Sequence, residues 1–470
     1  MATHHDGLLD PLKQRQVTVV MVPFPAQGHL NQLLHLSRLI SSYQVPVHYV
    51  GSSIHNRQAK VRVHGWNPIS VSNIQFHDFP MPFLSPPPDL TAPIKFPAHL
   101  QSAFEAISHL RQPVAELIRK LSATARRVIV VHDDLMASVI QDVAVIPNAE
   151  SYSFHSTSAF FTSIYLWETM GKPFSIDGDI LKDLPSLDGS LTPEFMEFVE
   201  FQFQFLNHKS AGDIINSNRT IEGPFLDLLS KEPIAMNTKK WAFGPFNPVA
   251  VLPFERFSSR HKSLEWLDKQ PPNSVIYVSF GTTTSLTDEQ IRELAEGLDK
   301  SGQKFIWVLR DADKGDVFDG MCRRAELPEG YEEKVQSKGI VVRDWAPQLE
   351  ILQHRSTGGF MTHCGWNSCM ESITTGVPIV TWPMHSDQPR NSFMLTKLLK
   401  VGLCLKDWRR RDELVTASMI EEVVRRLMAS EEGDEVRKRA EEMGQAVRAS
   451  MNQGGVSRME LESFIAHISR

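Results

Sequence analysis

Two stretches of the chain carry residue types that can do chemistry together. In the first, VTVVMV is followed by PFPAQGHLNQ, which sets His29 beside Gly28 just after an apolar run. An imidazole with an ordinary pKa near neutrality suits removal of a proton from a hydroxyl. Such a base works better when a carboxylate holds its second nitrogen. A second apolar run, Val128 to Val131, ends in His132-Asp133-Asp134 and offers two candidates. From the residues alone, either aspartate can be the partner, and Asp134 can instead cap a helix. The second stretch, Trp345 to Gln388, is 388 − 345 + 1 = 44 residues long. Its Gly365 lets backbone approach a phosphate closely. A helix opening at Trp366, Asn367 and Ser368 presents free N–H groups and the positive end of its dipole to an anion, and His363 adds a donor. With an aromatic, a Glu and an Asp-Gln pair, the stretch holds the groups needed to seat a base, a pyrophosphate, a ribose and a sugar in one cleft.

These groups need strand ends and helix starts to position them. Val17–Val22 reads as a buried strand, and a helix follows to about Ser42, with Leu30, Leu33, Leu34 and Leu36 followed by Leu39 and Ile40 at helical spacing. His29 then stands at the carboxyl end of the first strand, where open α/β sheets bind their ligands. Further strands are expected near 46–51, 128–131, 151–155 and 213–217, and HDDLMASVIQDV is expected to run from the 128–131 strand into a helix. Later in the chain, strands at 274–280, 305–309, 339–344, 358–362 and 378–382 alternate with helices at 288–300, 347–354 and 367–375. The tail reads as charged helices at about 416–429 and 433–450, with an amphipathic one at 457–468. The Pro-rich, aperiodic GPFNPVAVLPFERFSSR separates the two alternations as a linker. The expected class is α/β: two Rossmann-like domains facing across a cleft. An acceptor-binding domain is placed at 1–245, a linker at 246–260, a nucleotide-binding domain at 261–450, and a last helix at 451–470 that packs back on the first domain.

The run from Trp345 to Gln388 resembles the signature box of the plant UDP-sugar-dependent glycosyltransferases over its full length. The resemblance implies the GT-B fold and finer roles. Trp345 would stack on uracil while the Ala346 backbone reads the base edge. Gln348 and Glu371 would face the ribose, with Glu371 accepting from both hydroxyls. His363, Asn367 and Ser368 would hold phosphate oxygens. Asp387 and Gln388 would bond sugar hydroxyls near Trp366, with Gln388 favouring glucose, so the implied donor is UDP-glucose. The family pattern, an Asp followed five residues later by a small residue, selects Asp133, since Ser138 fits. The implied reaction is a direct displacement: His29 takes the acceptor proton, Asp133 orients the imidazole, and inversion gives a β-glucoside. Charge developing on the pyrophosphate would be met by the helix start, His363 and a hydroxyl of SFGTTTS, assigned to Thr284, with no metal or other cofactor. Gln32 and Arg355 stand where the wider family commonly has Pro, and Cys369 where it often has Thr. His385 is open: it can touch the sugar or acceptor, or cap a helix.

Two metal-like signals compete. Asp311-Ala312-Asp313 and Asp177-Gly178-Asp179 formally match the Asp-x-Asp of metal-dependent transferases, but the first lies in DADKGDVFDG, which reads as a solvated loop. Cys364 and Cys369 beside His363 evoke zinc, yet no second Cys pair follows. Composition points to an intracellular enzyme. A net charge of −6 argues against nucleic-acid or anionic-membrane partners. The 4 scattered Cys suit a reducing compartment, and no segment reads as a signal or membrane anchor. A cytoplasmic monomer is expected. Phe195, Phe198, Phe201, Phe203 and Phe205, with Phe76, Phe79, Phe83, Phe96 and Phe104, form two aromatic clusters that predict a flat, apolar acceptor pocket. GHLNQLLHLSRLI, VRVHGW and WPMHSDQPRN resemble the zeatin O-glucosyltransferase branch, which implies a cytokinin side-chain hydroxyl as acceptor. Phenolic acceptors such as isoflavones, and terpenoids, stay open. An epimerase would need no acceptor pocket, and a non-catalytic binder of UDP-sugar or hormone would need no base.

Overall fold

The computed structural model describes residues 16–83, 86–176, 178–206, 210–235, 238–249, 260–313, 316–318 and 325–470. Its first half builds a seven-stranded parallel sheet from β1 (Val17–Val22), β2 (Val47–Ser52), β3 (Ile74–Phe79), β4 (Arg127–Asp133), β5 (Ala149–His155), β6 (Asp213–Ile215) and β7 (Lys240–Ala242). The order is β3-β2-β1-β4-β5-β6-β7. Its second half builds a six-stranded parallel sheet from β8 (Val275–Ser279), β9 (Lys304–Val308), β10 (Gly339–Val342), β11 (Thr357–Thr362), β12 (Ile379–Thr381) and β13 (Gly402–Cys404), in the order β10-β9-β8-β11-β12-β13. Each sheet therefore reverses direction beside its own first strand, between β1 and β4 and between β8 and β11. Crevices open at such switch points, outside the carboxyl ends of the strands.

The central strands are apolar because helices cover both faces. Val19, Met21, Val47, Ile129 and Val131 are buried on one face of the first sheet and Val20, Val22, Val128 and Val130 on the other. The closing helix Val456–Ile468 lays Leu461, Phe464 and Ile468 on the first sheet against Tyr152, Trp241 and Phe243. Arg126 and Arg127 donate to the carbonyls of residues 467–470 and satisfy its otherwise orphaned end. A mixed apolar layer joins the halves: Phe160, Trp167 and Phe225 from the first meet Trp366, Met370 and Phe393 from the second.

Three expectations on elements need correcting or bounding. The stretch after β4 does not enter an α-helix but makes single 3-10 turns at Asp134–Met136 and Gln141–Val145. The Asp133 carboxylate accepts from Leu135 N at 3.1 Å, and this cap favours one tight turn over a full helix. Strands β3 and β7 extend the first sheet at its two edges beyond the expected set. Of the expected linker, residues 250–259 lie outside the described residues, as do Asp177 and the side chain of Asp179.

Candidate active site

A cleft of about 770 Å³ runs between the two switch points. On the first-sheet side, Val22 of β1 is paired with His132 of β4, so the segments after both strands leave the sheet side by side. His29, in the opening turn of the helix Gln27–Ser41, there brings Nδ1 to 2.7 Å from Asp133 Oδ2. Asp133 is wholly buried while the His29 side chain keeps 23% exposure toward the cleft. Burial alone would lower the His29 pKa, but the charge and hydrogen bond of Asp133, helped by Asp134 and Asp387, outweigh it and raise the pKa. Burial pushes the Asp133 carboxyl up to about 6, against the opposing pull of His29.

The second-sheet side is laid out in the same way. His363 follows β11, and its ring is clamped by two glycines. A Cβ on Gly281 (φ +75) or on Gly365 would fall 2.6 Å from a ring atom of His363. Burial lowers His363 to about 4, so the ring is a neutral donor at physiological pH. Cys364, at φ 67, takes a left-handed backbone that only a fixed turn retains, and its carbonyl accepts from Asn391 Nδ2 at 3.0 Å. The helix Trp366–Thr375 then opens into the cleft. Asn367 Nδ2 donates across to the Gly28 carbonyl at 2.7 Å, and Trp366 Nε1 to the Asn216 carbonyl at 2.8 Å. Gln348 Nε2 donates to Ser368 Oγ at 3.0 Å and to Glu371 Oε2 at 2.8 Å. Burial raises Glu371 to about 7 despite that bond. Asp387 accepts from Asn391 at 2.7 Å, and burial raises it to about 6. Gln388 turns Oε1 onto the backbone N–H groups of Met384 and His385, at 2.9 and 3.0 Å. Trp345 and Ala346 line the same cleft.

Comparison with known proteins agrees with this geometry. Residues 15–248 match the family model "Glycosyltransferase, N-terminal domain", and residues 196–425 match "UDP-glucoronosyl and UDP-glucosyl transferase". The chain is 57% identical over 459 residues to a zeatin O-glucosyltransferase of Phaseolus lunatus, covering 97% of this chain and 98% of that one. A zeatin O-xylosyltransferase of Phaseolus vulgaris is 55% identical, covering 97% and 99%. The chain belongs to the UDP-dependent glycosyltransferases. A solved UDP-glucosyltransferase of Polygonum tinctorium, capable of glucosylating indoxyl, superposes on this transferase with a TM-score of 0.76 at 28% identity, covering 97% and 99% of the two chains. Two Rossmann-like domains with this arrangement are the GT-B fold.

Not every expected residue reaches the transferase's cleft. Thr284 does not: its hydroxyl is buried without a hydrogen-bond partner, beside a separate small cavity lined also by Phe280, Leu286 and Trp307. The turn at Gly281 presents Thr282 and Thr283 to the cleft instead. Thr283 Oγ1 lies 3.2 Å from His385 Nε2, and the His385 ring packs edge-on to Phe96 at 5.8 Å. Burial lowers His385 to about 3, so it is a neutral polar wall. The Asp311-Ala312-Asp313 segment is not a solvated loop at its end. Asp313 is buried and held by the two terminal guanidinium nitrogens of Arg62 from the first half, one at 3.0 Å, and by Arg310 at 2.8 Å. His99 adds a bond to the Asp313 carbonyl at 2.8 Å. Among the described residues, no group of three or more His, Cys, Asp or Glu side chains is placed to hold a metal ion. No helix among the described residues is long and apolar enough to cross a membrane.

The aromatic clusters divide. Phe96, Phe104, Phe195 and Phe203 line the cleft, joined by Phe24, Phe161 and Tyr165, which sequence patterning missed. Ring centroids of Phe96 and Phe195 are 4.5 Å apart and those of Phe24 and Phe104 4.7 Å. Phe76, Phe79, Phe83, Phe198, Phe201 and Phe205 are not part of the lining. Phe76 packs on Tyr49 in the sheet core, and Phe201 is an exposed side chain packed edge-on to Phe205. Phe24 follows the end of β1, and Phe161 and Tyr165 lie on the helix Ala159–Thr169 that follows β5, so the signal available was their place after those strands rather than any clustering in sequence.

Proposed function

We propose that this transferase moves glucose from UDP-glucose to the side-chain hydroxyl of a cytokinin of the zeatin type, with inversion, giving a β-O-glucoside. The observation that carries the reading is the 2.7 Å His29–Asp133 pair facing, across one cleft, a helix start flanked by His363. His29 Nε2 takes the acceptor proton, and the acceptor oxygen forms its bond to the anomeric carbon. The bond to the UDP oxygen breaks on the opposite face and UDP leaves with its electron pair. Asp133 keeps the imidazole turned toward the acceptor and stabilises the imidazolium. The amides at Trp366–Ser368, His363 and the Thr282–Thr283 hydroxyls meet the charge growing on the pyrophosphate, so the reading assigns that task to no metal. Trp345 carries the uracil and Ala346 its edge; Gln348 and Glu371 take the ribose; Asp387 and Gln388 take sugar hydroxyls near Trp366. The apolar body of the acceptor lies among Phe24, Phe96, Phe104 and Phe195.

The acceptor assignment is supported by the names of two relatives above 50% identity, both zeatin transferases. Because one of them is a xylosyltransferase, the donor sugar needs its own test. UDP release is measured with EDTA present from UDP-glucose and, separately, UDP-xylose, against zeatins, flavonoids and simple phenols, with a His29→Ala variant beside each. Release from UDP-glucose with zeatins, lost in the variant, is the expected outcome. Release only with phenols would replace the acceptor class, and release only from UDP-xylose would replace the sugar. No release with any acceptor, despite tight UDP-glucose binding, would leave a binding module.

A further inference from the structure

The pair that faces the cleft is the end of a longer row. Behind Asp133 stands Asp134, whose side chain contacts it, and Asp134 Oδ2 lies 3.3 Å from His155 Nδ1. His155 Nε2 lies 3.6 Å from Asp213 Oδ1, and the other Asp213 oxygen takes Lys240 Nζ at 2.6 Å. The row thus crosses four neighbouring strands, from the end of β4 through β5 and β6 to β7, and His29, Asp134, His155, Asp213 and Lys240 line the cleft. Asp213 is buried, and side-chain exposure is 21% for Asp134, 17% for His155 and 11% for Lys240. Among the described residues, the other titratable groups facing it are His132, which bonds the Asp133 carbonyl at 2.8 Å and which burial lowers to about 4, and Asp387, which faces His29 from the opposite domain.

Asp133, Asp134 and Asp213 supply three negative charges; His155 and Lys240 supply two positive ones. One negative charge is left over while His29 is neutral. Buried net charge is costly in a low-dielectric interior, so the row is most stable when one more proton arrives. The exposed end at which a proton can arrive from a substrate is His29.

We infer that Asp134, held by His155 and through it by Asp213 and Lys240, is a positioning residue that sets the basicity of His29 for proton removal from the acceptor. Burial opposes charge on His155, but Asp134 and Asp213 raise it to about 10, which keeps it a fixed cation through the working range of the enzyme. Asp134 is correspondingly lowered by His155 against burial, which keeps it an anion. Four residues beyond the dyad, Asp134, His155, Asp213 and Lys240, therefore act on the reaction without touching the reacting atoms.

The inference rests on His29 being the base, and its test separates the two. The pH dependence of kcat/KM for the acceptor is measured at saturating UDP-glucose, which keeps the donor site occupied throughout. Asp134→Asn removes the surplus negative charge, so the acidic limb moves down by about one pH unit and the plateau rate falls about tenfold. Lys240→Met leaves two surplus negative charges, so the same limb moves up, by about half a unit because the group is farther away. Opposite shifts are the expected signature, since a merely structural role would not give them. UDP binding measured by calorimetry reports on the other domain and checks that each variant is folded. Should Asp134→Asn fail to fold, the upward shift in Lys240→Met decides alone. Unmoved limbs in the folded variants, or a raised acceptor KM with an unmoved limb, would overturn the inference. A native enzyme with no acidic limb would instead remove His29 as the base.

Discussion

The two switch points are built on one plan and furnished in opposite ways. Each lies between the first and fourth strands of its sheet, and each puts a histidine at the mouth of the crevice: His29 after β1 and His363 after β11. On the first-sheet side the buried groups are charged and already have charged partners, from His29 and Asp133 back to Lys240. On the second-sheet side most of them, Asp387 apart, are neutral or neutralised. His363 is lowered, Glu371 is raised, and Gln348 spans Ser368 and Glu371. The physical lesson is that one side is finished before substrate arrives and the other is completed by it. A base must hold its geometry and its charge partner continuously. A site for a dianionic pyrophosphate and a ribose is better left as uncharged donors and a protonatable acceptor, because unpaired buried charges are costly.

That contrast can be broken from either side. The largest effect is expected from His29→Ala, which removes the base and should lower kcat between about a hundredfold and ten-thousandfold. UDP-glucose affinity should stay unchanged, because no donor contact is assigned to His29; a parallel loss of affinity would show that the two sides are not separately furnished. Next in size is Glu371→Gln, which replaces an acceptor of two ribose hydroxyls by a poorer one. Its UDP-glucose KM should rise about 10- to 100-fold with kcat nearly intact, a loss of charged hydrogen bonds. A fall in kcat of the same size would place Glu371 in the chemistry rather than in binding.

The second-sheet side was largely legible in the sequence, because 44 residues between Trp345 and Gln388 contain its strand, turn and helix start in a row. Thr284 shows the limit of that legibility. Its loop was found, but which of three successive threonines faces the cleft depends on the left-handed turn at Gly281, and the order of residues does not encode that. The first-sheet side was legible only in its two ends. His29 and the Asp133-Asp134 doublet follow apolar runs and announce themselves, with only the family resemblance choosing Asp133, whereas His155, Asp213 and Lys240 come together only because β5, β6 and β7 are adjacent. The same holds for Asp313. Its charged neighbourhood in sequence reads as solvated, and only the approach of Arg62 from the other domain buries it. Strand-end chemistry is written locally; cross-strand and cross-domain pairing is not.

The Arg62–Asp313 clasp is where the finished side reaches the unfinished one. The Arg62 guanidinium lies 4.6 Å from the Trp345 ring centroid, and His64 Nε2 accepts from the Trp345 indole N–H at 2.8 Å. The platform expected to carry the uracil is thus steadied by the first domain. Arg62→Met leaves Asp313 paired with Arg310, so the cost should be modest, about threefold to tenfold in UDP-glucose affinity by calorimetry. Unchanged affinity would show that Trp345 needs no support from that domain.

The smallest expected effect reads the neutralised acceptor directly. Burial, the largest influence, raises Glu371 to about 7; the bond from Gln348 only partly offsets it, and Glu350 adds to the rise. Two ribose hydroxyls donating to the carboxylate favour its ionised form, so donor binding lowers this pKa. The sign follows: below about 7 the site must release a proton to bind, and above it need not. UDP-glucose affinity should therefore climb as pH rises toward 7 and level off beyond, by at most about tenfold per unit. UDP-glucose is the better probe than UDP, whose terminal phosphate titrates nearby. Calorimetry at pH 6 in two buffers of different ionisation heat should count close to one proton released, and Glu371→Gln should remove most of the release and most of the slope. Asp387, raised by burial to about 6, would leave a smaller residual slope in that variant. An affinity independent of pH from 6 to 8 in the native enzyme would mean that Glu371 is ionised before the donor arrives, and the two switch points would then differ in partners but not in readiness.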